Sequence, residues 1–139
     1  MTRLVMDASV AIKWYLPEPH ADAALRFLSD EFELVVPDLF FAEIGNVVWK
    51  RWRRHDIDAR AVVDLLIALQ AVPLAVRETR LLLDQAVEFG MTYGITVYDA
   101  LYLAAAAAEN IQLVTADRRL QNAVGGALAG RILWVEDRP

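Results

Sequence analysis

Short, continuously apolar runs alternating with stretches of helical period are what most narrows the fold of this chain. Leu4-Val5-Met6, Leu34-Val35-Val36, Ile111 to Thr115 and Ile132 to Val135 are of strand length. None alternates apolar with polar residues as a strand with one wet face would, so each is expected to be buried on both faces. Between them lie helical patterns. Ala21, Ala24, Leu25 and Leu28 recur at three and four residues within Pro19 to Asp30, and Val62, Leu65, Leu66 and Leu69 do so within Ile57 to Gln70. Leu82, Leu83, Ala86 and Val87 repeat the pattern within Glu78 to Phe89, with Gly90 placed to end that helix. Strands and helices in alternation give an α/β fold with a mostly parallel sheet, covered on both faces.

The remaining segments fit that frame. Asp7 to Leu16 reads as a short helix stopped at Pro17, and Asp38, after the strand-breaking Pro37, is placed to cap a helix that runs to about Arg54. Val72 to Val76 carries Pro73, which confines it to a sheet edge. Val97 to Asn110 is apolar nearly all round and holds the alanine run Ala104 to Ala108, so it is expected to be a buried, closely packed helix. At 139 residues, with 57% apolar and 24% charged residues, the chain is expected to form one domain over 1–139.

Composition also removes function classes. The chain has no cysteine, which excludes a disulfide framework, a thiolate metal site and a thiol nucleophile. Asp7 interrupts the amino-terminal segment before a signal sequence could form, and Val97 to Ala108 is too short to cross a bilayer, so a cytoplasmic protein without membrane contact is expected. A net charge of −5 argues against a broad nucleic-acid-coating surface, unless several of the acids are gathered in one metal site.

The acids do fall in suggestive places. In a parallel sheet, ligands bind in the crevice at the carboxyl ends of the strands. Asp7 directly follows Leu4-Val5-Met6, and Asp117 follows Leu113-Val114-Thr115 by two residues. Asp99 stands in the first turn of the alanine-rich helix, and Glu43 shares a helical stripe with Leu39, Asn46, Val47 and Lys50. Taken singly, Asp7, Asp99 and Asp117 read well as helix caps, and Glu43 could pair with Lys50. Together they suggest an oxygen-only site for a hard cation, Mg²⁺ or Mn²⁺, because carboxylates brought close repel one another and a divalent ion relieves that repulsion. Such an ion activates water and stabilises charge on a phosphodiester oxygen, which points to hydrolysis.

Met6-Asp7-Ala-Ser9-Val-Ala-Ile-Lys13-Trp, Pro37-Asp-Leu-Phe-Phe-Ala-Glu43-Ile-Gly-Asn46-Val, Thr96-Val-Tyr-Asp99-Ala-Leu-Tyr and Leu113-Val-Thr115-Ala-Asp117 together resemble the PIN domain of VapC-type toxins, over almost the whole chain. The resemblance implies a three-layer α/β/α sandwich and a Mg²⁺- or Mn²⁺-dependent endoribonuclease that acts on RNA as the toxin of a toxin–antitoxin pair. It further implies a homodimer and inhibition by a cognate antitoxin, which is expected to set a basic side chain in the acidic site. Asp7, Glu43, Asp99 and Asp117 match the family's catalytic and metal-binding acids. Ser9, Asn46 and Thr115 match polar positions beside them.

Arg118 and Arg119, next to Asp117, are candidates for the substrate phosphate, with a structural ion pair the competing reading. The basic run Lys50 to His55 reads first as a helix carboxyl end favoured by the macrodipole, with Trp49 and Trp52 packed inward. His20 and His55 read as isolated and solvated. A haloacid dehalogenase-type phosphotransferase would need an acid where Ser9 stands and a lysine in the later half, as would a response-regulator receiver for the lysine; Lys13 and Lys50 are the only lysines. The alternative kept is a non-catalytic PIN-like module that binds RNA or a protein.

Overall fold

The computed structural model describes residues 1–139. Its strands are β1 (Thr2–Met6), β2 (Phe32–Pro37), β3 (Leu74–Arg77), β4 (Gln112–Thr115) and β5 (Ile132–Trp134). They form one parallel sheet in the order β3-β2-β1-β4-β5. The helices are α1 (Ala8–Ala11), α2 (Ala21–Leu25), α3 (Leu39–Arg53), α4 (Ala59–Ala71), α5 (Thr79–Tyr93), α6 (Val97–Glu109) and α7 (Arg118–Val124), and they flank the sheet as an α/β/α sandwich. No helix is long and apolar enough to cross a membrane.

The strand order carries the functional consequence. From β1 the chain steps outward to β2 and β3 on one side, then returns to place β4 and β5 on the other. The order therefore reverses at β1, and the crevice outside the carboxyl ends of β1 and β4 is the switch point where parallel sheets bind ligands. The backbone N–H of Asp7 donates to the Val114 carbonyl at 3.1 Å, carrying the pairing of β1 with β4 one residue past the strand.

The continuous apolar runs are buried as their pattern demands: Val5, Val35, Val36, Leu113 and Val114 have no exposed surface. They belong to one hydrophobic cluster of 36 residues. In α6, Ala104, Ala105 and Ala106 are at most 1% exposed, so the helix packs with almost no side-chain spacer against α5 and the sheet. At its far end Glu109 accepts from Arg77 and, at 3.0 Å, from Arg3, a clamp onto β3 and β1 that also offsets a negative charge at a helix carboxyl terminus. Ala104→Leu is expected to overpack this layer and cost about 1–3 kcal/mol. That corresponds to a Tm lower by roughly 3–10 °C in a thermal melt, and an unchanged Tm would show room that the packing denies.

Local boundaries differ from the sequence reading in three places. The Pro19 to Asp30 segment is not one helix; α2 gives way at Arg26 to a single 3-10 turn. The α5 helix runs through Gly90 and stops at Gly94, whose φ of +67° is the left-handed cap conformation glycine adopts without steric cost. Gly90 instead answers to close packing, since a Cβ there would lie 3.1 Å from the Ile95 carbonyl oxygen. Asp38 does not cap α3; its carboxylate accepts from the backbone N–H and hydroxyl of Thr79, tying the start of α3 to the start of α5.

Candidate active site

Asp7 occupies the N-cap position of α1 yet caps nothing. Its Oδ2 accepts instead from the hydroxyls of Ser9 and Thr115, both at 2.7 Å. Each hydroxyl is itself fixed by accepting a backbone N–H at 3.1 Å, Ser9 from Ala116 and Thr115 from Asp117. The carboxylate is thus held from both sides of the β1–β4 crevice although it is only 7% exposed. Oδ1 makes no hydrogen bond and is not sealed from solvent. Burial pushes the carboxyl up to about 6, the nearby charges of Asp99 and Glu43 adding to it and the two hydroxyls opposing.

The other acids gather at the same rim. Glu43, one turn into α3, is half-buried and does not pair with Lys50; its Oε1 accepts from the phenol of Tyr102 at 2.5 Å. Burial raises its pKa, Asp99 adds to the rise, and the Tyr102 hydrogen bond works against it. Asp99 lies in the first turn of α6, but Thr96 is the cap: its Oγ1 accepts from the Asp99 backbone N–H at 3.1 Å. The Asp99 side chain is left free of helix duty, and its pKa is raised by burial first and by Asp117 next. Asp117 does cap, accepting from the N–H groups of Arg119 and Leu120 through Oδ1. The capping reading therefore holds for Asp117 alone, and even there Oδ2 turns elsewhere.

That other oxygen faces Arg119. Its guanidinium lies 3.5 Å from Asp117 Oδ2 and 3.6 Å from Asp99 Oδ2. Of the two arginines expected to meet a phosphate, Arg119 is the ion-paired one. Arg118 is exposed, stacks over Trp134 at 3.6 Å and donates to Gln121 Oε1 at 2.5 Å, which fixes its orientation beside the rim.

Other sequence expectations need correction. Asn46 is exposed and makes no hydrogen bond to the acids, so it does not support them as expected. Helical spacing put it on the Glu43 stripe, but i+3 on α3 turns outward at that point. The residue that does touch Glu43 is Tyr102, three positions beyond Asp99 on α6. Its phenol is only 1% exposed, and burial with the Asp7 and Glu43 charges holds its pKa well above the usual range, so it stays a donor. Trp49 and Trp52 do not pack inward: each is 48% exposed, and with Val62, Val63 and Leu66 they line an open apolar groove of about 460 Å³ between α3 and α4. His20 is not isolated; Nδ1 lies 2.6 Å from Glu136 and the ring meets the edge of Trp134.

Does this donor set suit a divalent ion? As the side chains lie, no three acidic or histidine groups converge tightly enough to grip one directly, so four direct ligands, as the sequence suggested, are not in place. Yet the donors are all carboxylate oxygens, three of them are kept from ionising easily partly by one another, and Asp7 Oδ1 and Glu43 Oε2 lack partners. That chemistry fits a hard cation that keeps several of its waters and takes one or two carboxylates directly, as Mg²⁺ does.

The chain is also similar to known proteins in sequence and in fold. The PIN domain family model matches residues 4–126. Ribonuclease VapC3 of Pyrobaculum aerophilum is 34% identical over 120 residues, covering 85% of this chain and 92% of that protein. Among solved structures, VapC20 of Mycobacterium tuberculosis, described as a sarcin-ricin loop cleaving toxin, superposes with a TM-score of 0.69 at 19% identity, covering 98% of this chain and 99% of that one. A toxin–antitoxin complex from Klebsiella pneumoniae gives a TM-score of 0.67 at 15% identity, with 97% and 99% covered.

Proposed function

We propose, from the premise that this chain belongs to the PIN domain family, that it is a divalent-metal-dependent endoribonuclease of the VapC type, one domain over residues 1–139 that hydrolyses RNA phosphodiester bonds. The observation that carries the reading is Asp7: a buried carboxylate at the sheet's switch point, gripped by two hydroxyls through one oxygen, with the other open and three more acids around it. A structural aspartate would be paired with a cation or spent on a cap. This one is neither.

Asp7, Glu43, Asp99 and Asp117 are the residues that would hold Mg²⁺ or Mn²⁺. When bound, the ion supplies Lewis-acid stabilisation of charge on a phosphoryl oxygen and acidifies a water. The protein's own part is positional and electrostatic. Ser9 and Thr115 fix the Asp7 carboxylate so that Oδ1 alone faces the crevice. Arg119 neutralises part of the rim's negative charge, which would otherwise repel a polyanion. Arg118, held over the Trp134 ring and adjacent in sequence to Asp117, offers a preoriented guanidinium for a backbone phosphate.

The partner is proposed to be an antitoxin chain that blocks the rim with a basic side chain. Arg119 supports this, because a guanidinium already lies against both Asp99 and Asp117. Self-association as a homodimer is supported by the exposed apolar residues Leu81, Leu83, Val87 and Met91 along α5. A cytoplasmic location is the one that suits an RNA substrate.

Purified protein incubated with a mixed RNA pool is expected to cut it with Mg²⁺ or Mn²⁺ and to leave it intact in chelator. Cutting that survives chelation would remove the metal from the mechanism. RNA or protein binding without cutting under every metal condition would favour the non-catalytic module.

A further inference from the structure

We propose that Tyr102 is a positioning residue of the acidic site, its hydroxyl holding one oxygen of Glu43 so that the other is kept free for a divalent cation. The inference rests on the ribonuclease reading and adds a residue to its machinery. The α6 helix delivers Asp99 and, one turn on, Tyr102 to the same face, since residues three apart are neighbours on a helix. The phenol is 1% exposed, and its hydroxyl donates to Glu43 Oε1 at 2.5 Å. The phenol therefore joins α6, which carries Asp99, to Glu43 on α3.

Glu43 repeats the arrangement at Asp7. There the hydroxyls of Ser9 and Thr115 hold Oδ2 and leave Oδ1 open; here the phenol holds Oε1 and leaves Oε2 without a partner and not sealed from solvent. A glutamate is the longest of the acids at the rim and has the most rotamers to lose. Fixing it before the ion arrives removes that loss from binding, and groups that orient metal ligands are commonly worth 10–100-fold in affinity. A tyrosine kept only for its bulk would not need the oxygen.

Tyr102→Phe keeps the ring and deletes the oxygen. Mn²⁺ binding followed by calorimetry is expected to weaken about 10-fold or more, with the melting curve in chelator nearly unmoved. RNA cleavage is expected to recover much of its rate at high Mn²⁺. Added to Glu43→Gln, the same substitution is expected to weaken Mn²⁺ no further, because it acts through Glu43. Glu43→Asp, which keeps the charge but draws the carboxylate back from the phenol, is expected to show a comparable loss and serves even if Tyr102→Phe folds poorly. Wild-type Mn²⁺ affinity in Tyr102→Phe or in Glu43→Asp overturns the proposal, as does an undiminished drop in the Glu43→Gln background. A wild-type protein that binds no Mn²⁺ overturns both this inference and the ribonuclease reading.

Discussion

Asp99→Asn is expected to lower RNA cleavage by about 10³-fold, the scale on which losing one preorganised electrostatic group at a reacting centre acts. The fold should not notice. Thr96 rather than Asp99 caps α6, so the substitution removes no helix-end hydrogen bond that the side chain provides. Its pairing with Arg119 is long, at 3.6 Å, and the arginine side chain is 79% exposed, so that contact is worth little in water. Against this stand burial and the Asp117 charge, both of which disfavour the ionised Asp99. The variant's Tm in chelator should therefore equal or exceed that of the wild type while cleavage is lost. Cleavage retained at the wild-type rate would remove Asp99 from the mechanism. Lost cleavage with a collapsed melting transition would assign it to the fold instead.

The second large effect is on stability against pH. The Asp7 carboxyl titrates near 6 in the folded protein against an ordinary 3.8, so between these values the folded state holds a proton that the unfolded chain has released. Stability must then fall as pH rises through this window, and the loss is complete above about pH 6. Its size follows from the shift and is on the order of 3 kcal/mol. Asp7→Asn carries no titrating group there. In chelator its Tm should exceed that of the wild type most at pH 7–8, and the gap should narrow as pH falls toward 4. Adding Mg²⁺ or Mn²⁺ at pH 7.5 should raise the wild type, since a ligand that binds only the folded state stabilises it, and should raise the variant much less. Melting curves for both proteins from pH 4 to 8, with and without metal, read out both parts. Parallel pH profiles would mean that Asp7 is not strained by its burial.

How much of this was visible in the sequence depends on which physical signal each feature left. The strands announced themselves because a strand buried on both faces must be apolar throughout, and Leu4-Val5-Met6 and Leu34-Val35-Val36 are. Their order in the sheet leaves no such mark. The adjacency of β1 and β4, which makes Asp7 and Asp117 neighbours, comes from long-range pairing that no local pattern encodes. Gly90 and Gly94 look equally fit to end a helix, and what separates them is the left-handed φ of +67° at Gly94 and the close approach of the Ile95 carbonyl to Gly90.

Asp7 and Asp117 are legible by their places after apolar strands, and Glu43 as a charge on a stripe shared with apolar residues. Their helpers were legible in part. Ser9 and Thr115 are marked by the family resemblance; Ser9 lies two residues from Asp7 in sequence, whereas Thr115 reaches Asp7 only through the pairing of β1 with β4. The resemblance marks Asn46 beside Glu43, and helical spacing agrees, but neither gives direction across the interface, and the side chain is exposed. Tyr102 also leaves a signal in the sequence. A tyrosine in a helix of alanines and leucines must bury a hydroxyl, and a buried hydroxyl needs a partner. Glu43 in turn needed a donor, and Lys50 was the wrong one to expect because α3 itself carries Lys50 into solvent.

The most direct test of the acidic rim as the metal centre is anomalous diffraction from crystals soaked in Mn²⁺, taken on protein shown to cut RNA with that ion. Manganese density lying among Asp7, Glu43, Asp99 and Asp117, with Arg119 drawn away from Asp99 or Asp117, is the expected result. Manganese bound elsewhere while these four carboxylates stay bare would place the chemistry at another site.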